Sequence, residues 1–294
     1  MHFILGKFEN DPILRKQLET GAVISEENIA HDQLLDEYRR FLIVGGMPEA
    51  VSRFAESGSF LESQRVHKDI IMNFREDFGK YDSSVSSENI RLVFDYALHH
   101  ACNQVRSSSA VKGLSAYQFD AALNLLKRAG LVIPVSASSC DTLPLGAGEK
   151  ENNLKILPFD TGVFLSELGL NLGEILDAEV FRDLNKGNLA ELATGLEIMK
   201  ATDPYSEAHL YYWYRSGANA EVDYVVQIGT EIIPVEVKGS VKGGMKSLRS
   251  FLLSHPASYG MRVSLENYAR YNDVRVIPLY AAGRICSGKG AADS

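Results

Sequence analysis

Residues 221–238 read Glu221-Val-Asp-Tyr-Val-Val-Gln-Ile-Gly-Thr-Glu-Ile-Ile-Pro-Val-Glu-Val-Lys238, and this stretch decides the fold. Two runs rich in β-branched residues flank Gly229-Thr230. Glycine at the first central position suits a two-residue type II′ hairpin turn. A hairpin pivoting on that pair sets Asp223 opposite Glu236, and alternation puts Lys238 on the face of Glu236. Three charged side chains are therefore expected to converge at the open end of the hairpin. Val222, Tyr224 and Val226 are expected to point the other way, with Val235 and Val237.

That arrangement has a clear chemical use. Facing carboxylates make a hard-oxygen site for Mg²⁺ or Mn²⁺, with Asp223 and Glu236 as the expected ligands. Such an ion polarises a phosphate and activates water, and Lys238 is placed to hold that water or offset developing charge. The pattern is that of the PD-(D/E)xK nucleases: an Asp, then (Asp/Glu)-x-Lys on the adjoining strand, plus an acid on a preceding helix. Glu191 and Glu197 both lie on the helix expected over Gly187–Lys200, and Glu191 is the preferred acid. The expected catalytic set is therefore Glu191, Asp223, Glu236 and Lys238. A plainer reading competes with it. Opposite charges across a hairpin are ordinary, worth roughly 0.2–1 kcal/mol each, and Glu-Val-Lys on an edge strand commonly faces water.

Working outward, residues 179–294 alternate helix and strand. Strands are expected at Leu210–Tyr214, Glu221–Ile228, Glu231–Val237, Gly260–Val263 and Val274–Leu279, with a helix around Met245–Ser254. This makes an α/β domain with a mixed sheet, within a chain that is α+β overall. The Gly/Ala/Ser-rich end, Gly283 to Ser294, is expected to fray. Residues 83–178 begin with a helix over Glu88–Asn103. Ser115-Ala-Tyr-Gln118 is a capping box opening a second helix closed by Gly130. Strand candidates Leu131–Val135 and Leu154–Leu157 follow, joined by the connection Ala137 to Asn153. Helix, capped helix and hairpin outline a winged helix. Its capped helix offers only Lys127 and Arg128 as cations, which favours packing over DNA contact. Residues 1–82 read as a helical connector, with Gln33 to Phe54 broken at Gly45-Gly46-Met47-Pro48 and a further helix over Ser63–Phe78.

The bulk numbers bound the function. A chain of 294 residues is long enough for two ordinary domains at roughly 100–200 residues each. Three scattered cysteines, Cys102, Cys140 and Cys286, form no C-x-x-C and fit a reducing cytoplasm. No leader or membrane span is read, so no membrane partner is expected. The formal charge of −8 disfavours a wide nonspecific DNA surface but leaves room for a compact phosphodiester site. The nearest string to a P-loop, Gly239 to Ser247, has one residue too many between Gly244 and Lys246, so no ATP binding is expected. The histidines show no ligand spacing, and Tyr211-Tyr212-Trp213-Tyr214 reads as core plus a half-exposed strand face.

These features carry a resemblance that spans nearly the whole chain. Tyr38 to Val51, with its Gly-Gly-Met-Pro-Glu-Ala string, looks like the segment beyond the ATPase domain of bacterial AAA-type ATPases whose tail is the domain of unknown function 4143. Asp77-Phe78-Gly79-Lys80-Tyr81, Leu125 to Val135, Asp160-Thr161-Gly162, Lys186–Glu197, Tyr212-Trp213, Glu221–Lys238, Ser247-Leu248 and Pro278-Leu279-Tyr280 are similar to its further motifs. The resemblance implies a helical connector, a winged helix and a restriction-endonuclease-like end, here without the ATPase module and its Walker motifs. Two functional readings result. The leading one is a noncatalytic binding or regulatory module whose partner is nucleic acid or protein, an ATPase included. The alternative is a Mg²⁺-dependent nuclease.

Overall fold

The computed structural model describes residues 29–80, 85–176, 181, 183, 185–202, 209–217, 220–241 and 243–287. Tyr81 of the Asp-Phe-Gly-Lys-Tyr motif, residues 1–28 of the expected connector and most of the frayed end lie outside them. The chain is α+β, a helical N-terminal region followed by a mixed sheet. The helices are α1 (Ile29–Val44), α2 (Pro48–Ser57), α3 (Phe60–Asp77), α4 (Ser87–His99), α5 (Ala116–Arg128), α6 (Thr161–Glu167), α7 (Leu172–Leu176), α8 (Ala190–Lys200) and α9 (Lys246–Ser254). The strands are β1 (Val132–Ser138), β2 (Glu149–Pro158), β3 (Leu210–Tyr214), β4 (Glu221–Ile228), β5 (Glu231–Lys238), β6 (Gly260–Ser264), β7 (Ala269–Tyr271) and β8 (Val274–Pro278).

Two compact units emerge. One comprises the described residues within Leu42–Val135 and Glu151–Phe181. Its helices break where the sequence says they should. α1 ends before Gly45, which holds φ 69°, and α2 restarts with Pro48 in its first turn. Ser115 Oγ accepts from Gln118 N at 3.3 Å while Gln118 Oε1 accepts from Ser115 N at 2.9 Å, so α5 opens with a complete capping box. Gly130, at φ 72°, lets Leu131 N–H return to Leu126 O at 2.9 Å and close the helix. α4 and α5 bury Val93, Phe94, Phe119 and Leu126 in one core with Ile71, Phe78 and Ile156. An isolated antiparallel bridge from Val105 to Leu154, with N···O distances of 2.8 and 3.2 Å, ties the loop after α4 to β2.

The other unit comprises the described residues within Met1–Phe41, Ser136–Lys150 and Arg182–Ser294. β3, β4 and β5 are antiparallel, β5–β6 and β6–β8 are parallel, and β7 closes the far edge antiparallel to β8. The outer ends of β1 and β2 continue the sheet beyond β3, giving the order β2-β1-β3-β4-β5-β6-β8-β7. β1 and β2 run longer than the expected Leu131–Val135 and Leu154–Leu157. Polar residues such as Ser136 and Ser138 join the ladder because a strand's backbone pairs whatever its side chains are.

Candidate metal and phosphate site

The β4–β5 register is Tyr224↔Val235, Val226↔Ile233 and Ile228↔Glu231, the pivot expected about Gly229-Thr230. Gly229 takes φ 61° and Thr230 does not enter the positive region, the pattern of a II′ turn. The expectation for the faces needs correcting. β3 meets β4 through Tyr211↔Val225 and Trp213↔Val222, so two residues of β3 span three of β4. The extra residue is a β-bulge at Asp223-Tyr224, which breaks the alternation. Val222 therefore shares a core with Val225, Trp213, Ile232 and Phe251 of α9. Tyr224 turns to the opposite face, where its hydroxyl donates to Glu191 O at 2.8 Å and seats the first turn of α8.

The bulge re-aims Asp223. Its Oδ2 accepts from Val237 N–H at 2.7 Å, so the carboxylate stands at the end of the ladder beside β5. Glu191, Glu221 and Asp223 each offer an oxygen, all within 4.8 Å of one another. Sequence reasoning misses Glu221; its signal is that it opens the Glu-Val-Asp string leading into the bulge. Glu197 lies elsewhere, paired with Lys200 at 3.1 Å, because six helical residues turn the side chain to another face.

Glu236 is 4% exposed. The reading of Glu-Val-Lys as a solvated edge fails here because β5 is a central strand, flanked by β4 and β6. Lys238 Nζ lies 2.6 Å from Glu236 Oε1. Glu236 Oε2 has no hydrogen-bond partner among the described residues. Burial first, then the charge of Asp223, pushes the Glu236 carboxyl up to about 7, against the pull of Lys238. Burial works against the Lys238 ammonium, but Glu236 outweighs it and holds the lysine above its ordinary value.

Residues 186–282 match the model of a domain of unknown function, DUF4143. Residues 35–174 match a second, the domain of unknown function DUF8612. No curated protein matches the chain, and no solved structure does. The acid cluster, Glu236 and Lys238 all fall within the DUF4143 match. No helix among the described residues is long and apolar enough to cross a membrane.

The DUF8612 region places its motif residues in a structural node instead. Asp160 caps α6 by accepting from Val163 N at 2.9 Å and accepts from Gly46 N at 2.6 Å. His67 bonds Val44 O at 3.0 Å and Ser166 Oγ at 3.1 Å, and burial lowers its pKa despite nearby Asp160. A Cβ on Gly162 would stand 2.4 Å from His67 Cε1, so the glycine of Asp-Thr-Gly is demanded by close packing. The node explains Gly-Gly-Met-Pro and Asp-Thr-Gly as parts of one joint.

Proposed function

We propose that the DUF4143 region holds a divalent cation and acts on phosphodiesters as a PD-(D/E)xK-type nuclease. The observation that carries this reading is the cluster of Glu191, Glu221 and Asp223 beside buried Glu236, whose Oε2 lacks a partner. A buried acceptor without a donor is costly, on the order of 1–3 kcal/mol, and a cation held by the neighbouring three-acid cluster would offset the charge beside Glu236 Oε2. All donors are oxygen, which suits Mg²⁺ or Mn²⁺ rather than a softer metal. Bound there, such an ion supplies Lewis-acid polarisation of a phosphate.

The chain's own residues do the rest. The bulge holds Asp223 at the ladder's end, Tyr224 pins the α8 turn that carries Glu191, and Lys238 offers a cation beside the cluster. With the acids neutralised, Lys238 Nζ, now drawn to Glu236, would be free to hold a proton at the reacting group. The winged-helix-like middle and the connector would then serve as packing or docking modules, in keeping with the resemblance to AAA-type ATPase tails. One observation favours the noncatalytic reading: the 2.6 Å Lys238–Glu236 pair already offsets one buried charge.

Calorimetric titration of Mn²⁺ into wild type, Asp223→Ala and Glu236→Gln decides between them. Binding in the wild type that both variants lose is the expected result. Absence of binding in the wild type, with and without an oligonucleotide, would reject the metal site.

A further inference from the structure

On the sheet face that carries Glu236, the next strand presents Arg262. β5 and β6 run parallel with Glu236↔Arg262 and Lys238↔Ser264 in register, and partners in register share a face. Arg262 is 5% exposed. Its Nη2 donates to Val241 O at 2.6 Å and its Nη1 stands 3.8 Å from Glu266 Oε2. Its Nε has no hydrogen-bond partner among the described residues. A buried guanidinium is thus fixed in place with one donor unmet.

That guanidinium lines an open hollow of about 710 Å³, together with Arg249 from α9, Arg270 from β7, Glu266, Tyr271 and Gly243. Arg249 and Arg270 are exposed. Glu266 is the hollow's acid, and it is already engaged: Tyr271 Oη donates to its Oε1, and Arg262 stands near its Oε2. Three guanidinium groups against one tied carboxylate leave the hollow positive within a chain of net charge −8. Gly243 joins the hollow to the acid site. A Cβ there would lie 3.4 Å from Lys238 Cδ and 3.9 Å from Arg262 Nη2, so the same residue touches both.

We propose that this hollow grips a backbone phosphate of a nucleic-acid strand, next to the phosphate presented to the acid cluster. The inference rests on the phosphodiester reading above and names its substrate class. The planar guanidinium fork matches phosphate oxygens bidentately, and the exposed Arg249 and Arg270 offer two such forks around the buried charge of Arg262. A strand delivers successive phosphates along one track. That fits two adjoining sites of opposite charge, a cation-requiring acid cluster and an arginine hollow, better than a lone anion does.

The test is fluorescence anisotropy of a labelled single-stranded oligodeoxynucleotide in EDTA, titrated against salt. Without divalent cations the acid cluster contributes no attraction, so the difference between wild type and a hollow variant reads the hollow's share. Arg249→Gln with Arg270→Gln, both exposed and folding checked by circular dichroism, is expected to weaken binding at least about tenfold. The slope of log affinity against log salt should fall by about 1 for each arginine withdrawn from a phosphate. Unchanged affinity and slope, or no oligonucleotide binding by the wild type, would overturn the inference. Displacement by inorganic phosphate as efficiently as by unlabelled strand would overturn it too, because the hollow would then take a free anion. Mn²⁺ calorimetry on the same double variant keeps the failures apart: retained Mn²⁺ binding with unchanged strand affinity sinks the hollow and leaves the metal site standing.

Discussion

Lys238 Nζ reaches Glu236 Oε1 at 2.6 Å, yet the Glu236 carboxyl still sits near 7 because burial and Asp223 outweigh the lysine. One oxygen of the pair is answered and the other is not. The pair is therefore under electrostatic load in the absence of a cation, and its two members respond differently to substitution.

Replacing Glu236 with Gln should stabilise the cation-free protein above neutrality. An unfolded Glu titrates near about 4.3, whereas the folded one is pushed up to about 7. The folded state thus binds the extra proton between those values. Its contribution is complete below the unfolded value and is lost as pH rises through about 7. In EDTA the variant should gain on the wild type between pH 5 and pH 8, by about 3 kcal/mol at most. Urea midpoints at the two pH values measure it, and a parallel pH dependence in both proteins would refute the burial argument.

Lys238→Ala should act on stability and on chemistry differently. Removing the ammonium leaves Glu236 buried beside Asp223, but the lysine side chain is 32% exposed and the glutamate can escape by protonating. A cost of about 1–2 kcal/mol at pH 8, shrinking by pH 6, is expected. Phosphodiester cleavage measured with Mn²⁺ should fall by about 100-fold or more. A cleavage rate equal to that of the wild type would remove Lys238 from the mechanism.

Gly45→Ala should damage the helical unit severely. Gly45 holds φ 69°, and a Cβ there would stand 2.3 Å from Asp160 Oδ1. Either the backbone moves or the carboxylate leaves Gly46 N and Val163 N without an acceptor. The expected loss is about 2–4 kcal/mol, read as a fall in thermal midpoint. Asp160→Asn keeps an acceptor and should cost less; if it costs more, the charge rather than the cap holds the joint.

Ser115→Ala removes the cap of α5, whose Oγ accepts from Gln118 N at 3.3 Å. About 1 kcal/mol is expected. Since Gln118 accepts from Ser115 N–H regardless of that hydroxyl, Gln118→Ala in the Ser115→Ala background should cost a further few tenths of a kcal/mol. Denaturant unfolding of the single and double variants separates the two contributions.

Much of this molecule was legible in its residues. Glycine with threonine between two β-branched runs fixed the hairpin and its register, because turn chemistry and strand pairing are local. The break at Gly45-Gly46-Met47-Pro48 and the capping box at Ser115 were legible for the same reason: a missing side chain, a fixed proline φ and a short hydrogen bond act within a few residues. The Glu-Val-Asp and Glu-Val-Lys strings could be placed on adjoining strands.

Only the tertiary structure decided what those strings face. The bulge at Asp223-Tyr224 arises from pairing with β3, and nothing in the local sequence of β4 announces it. It turned Val222 into the core with Val225 and carried Asp223 to Val237 N–H. Glu236 became a buried acid because β5 lies between β4 and β6 rather than at an edge. Arg262 joined it through a parallel register that spans an intervening helix. Side-chain periodicity tells a strand which residues share a face. Which face is covered, and by what charge, depends on neighbours far along the chain, and burial in their company is what sets a carboxyl near 7 and leaves a guanidinium N–H unmet.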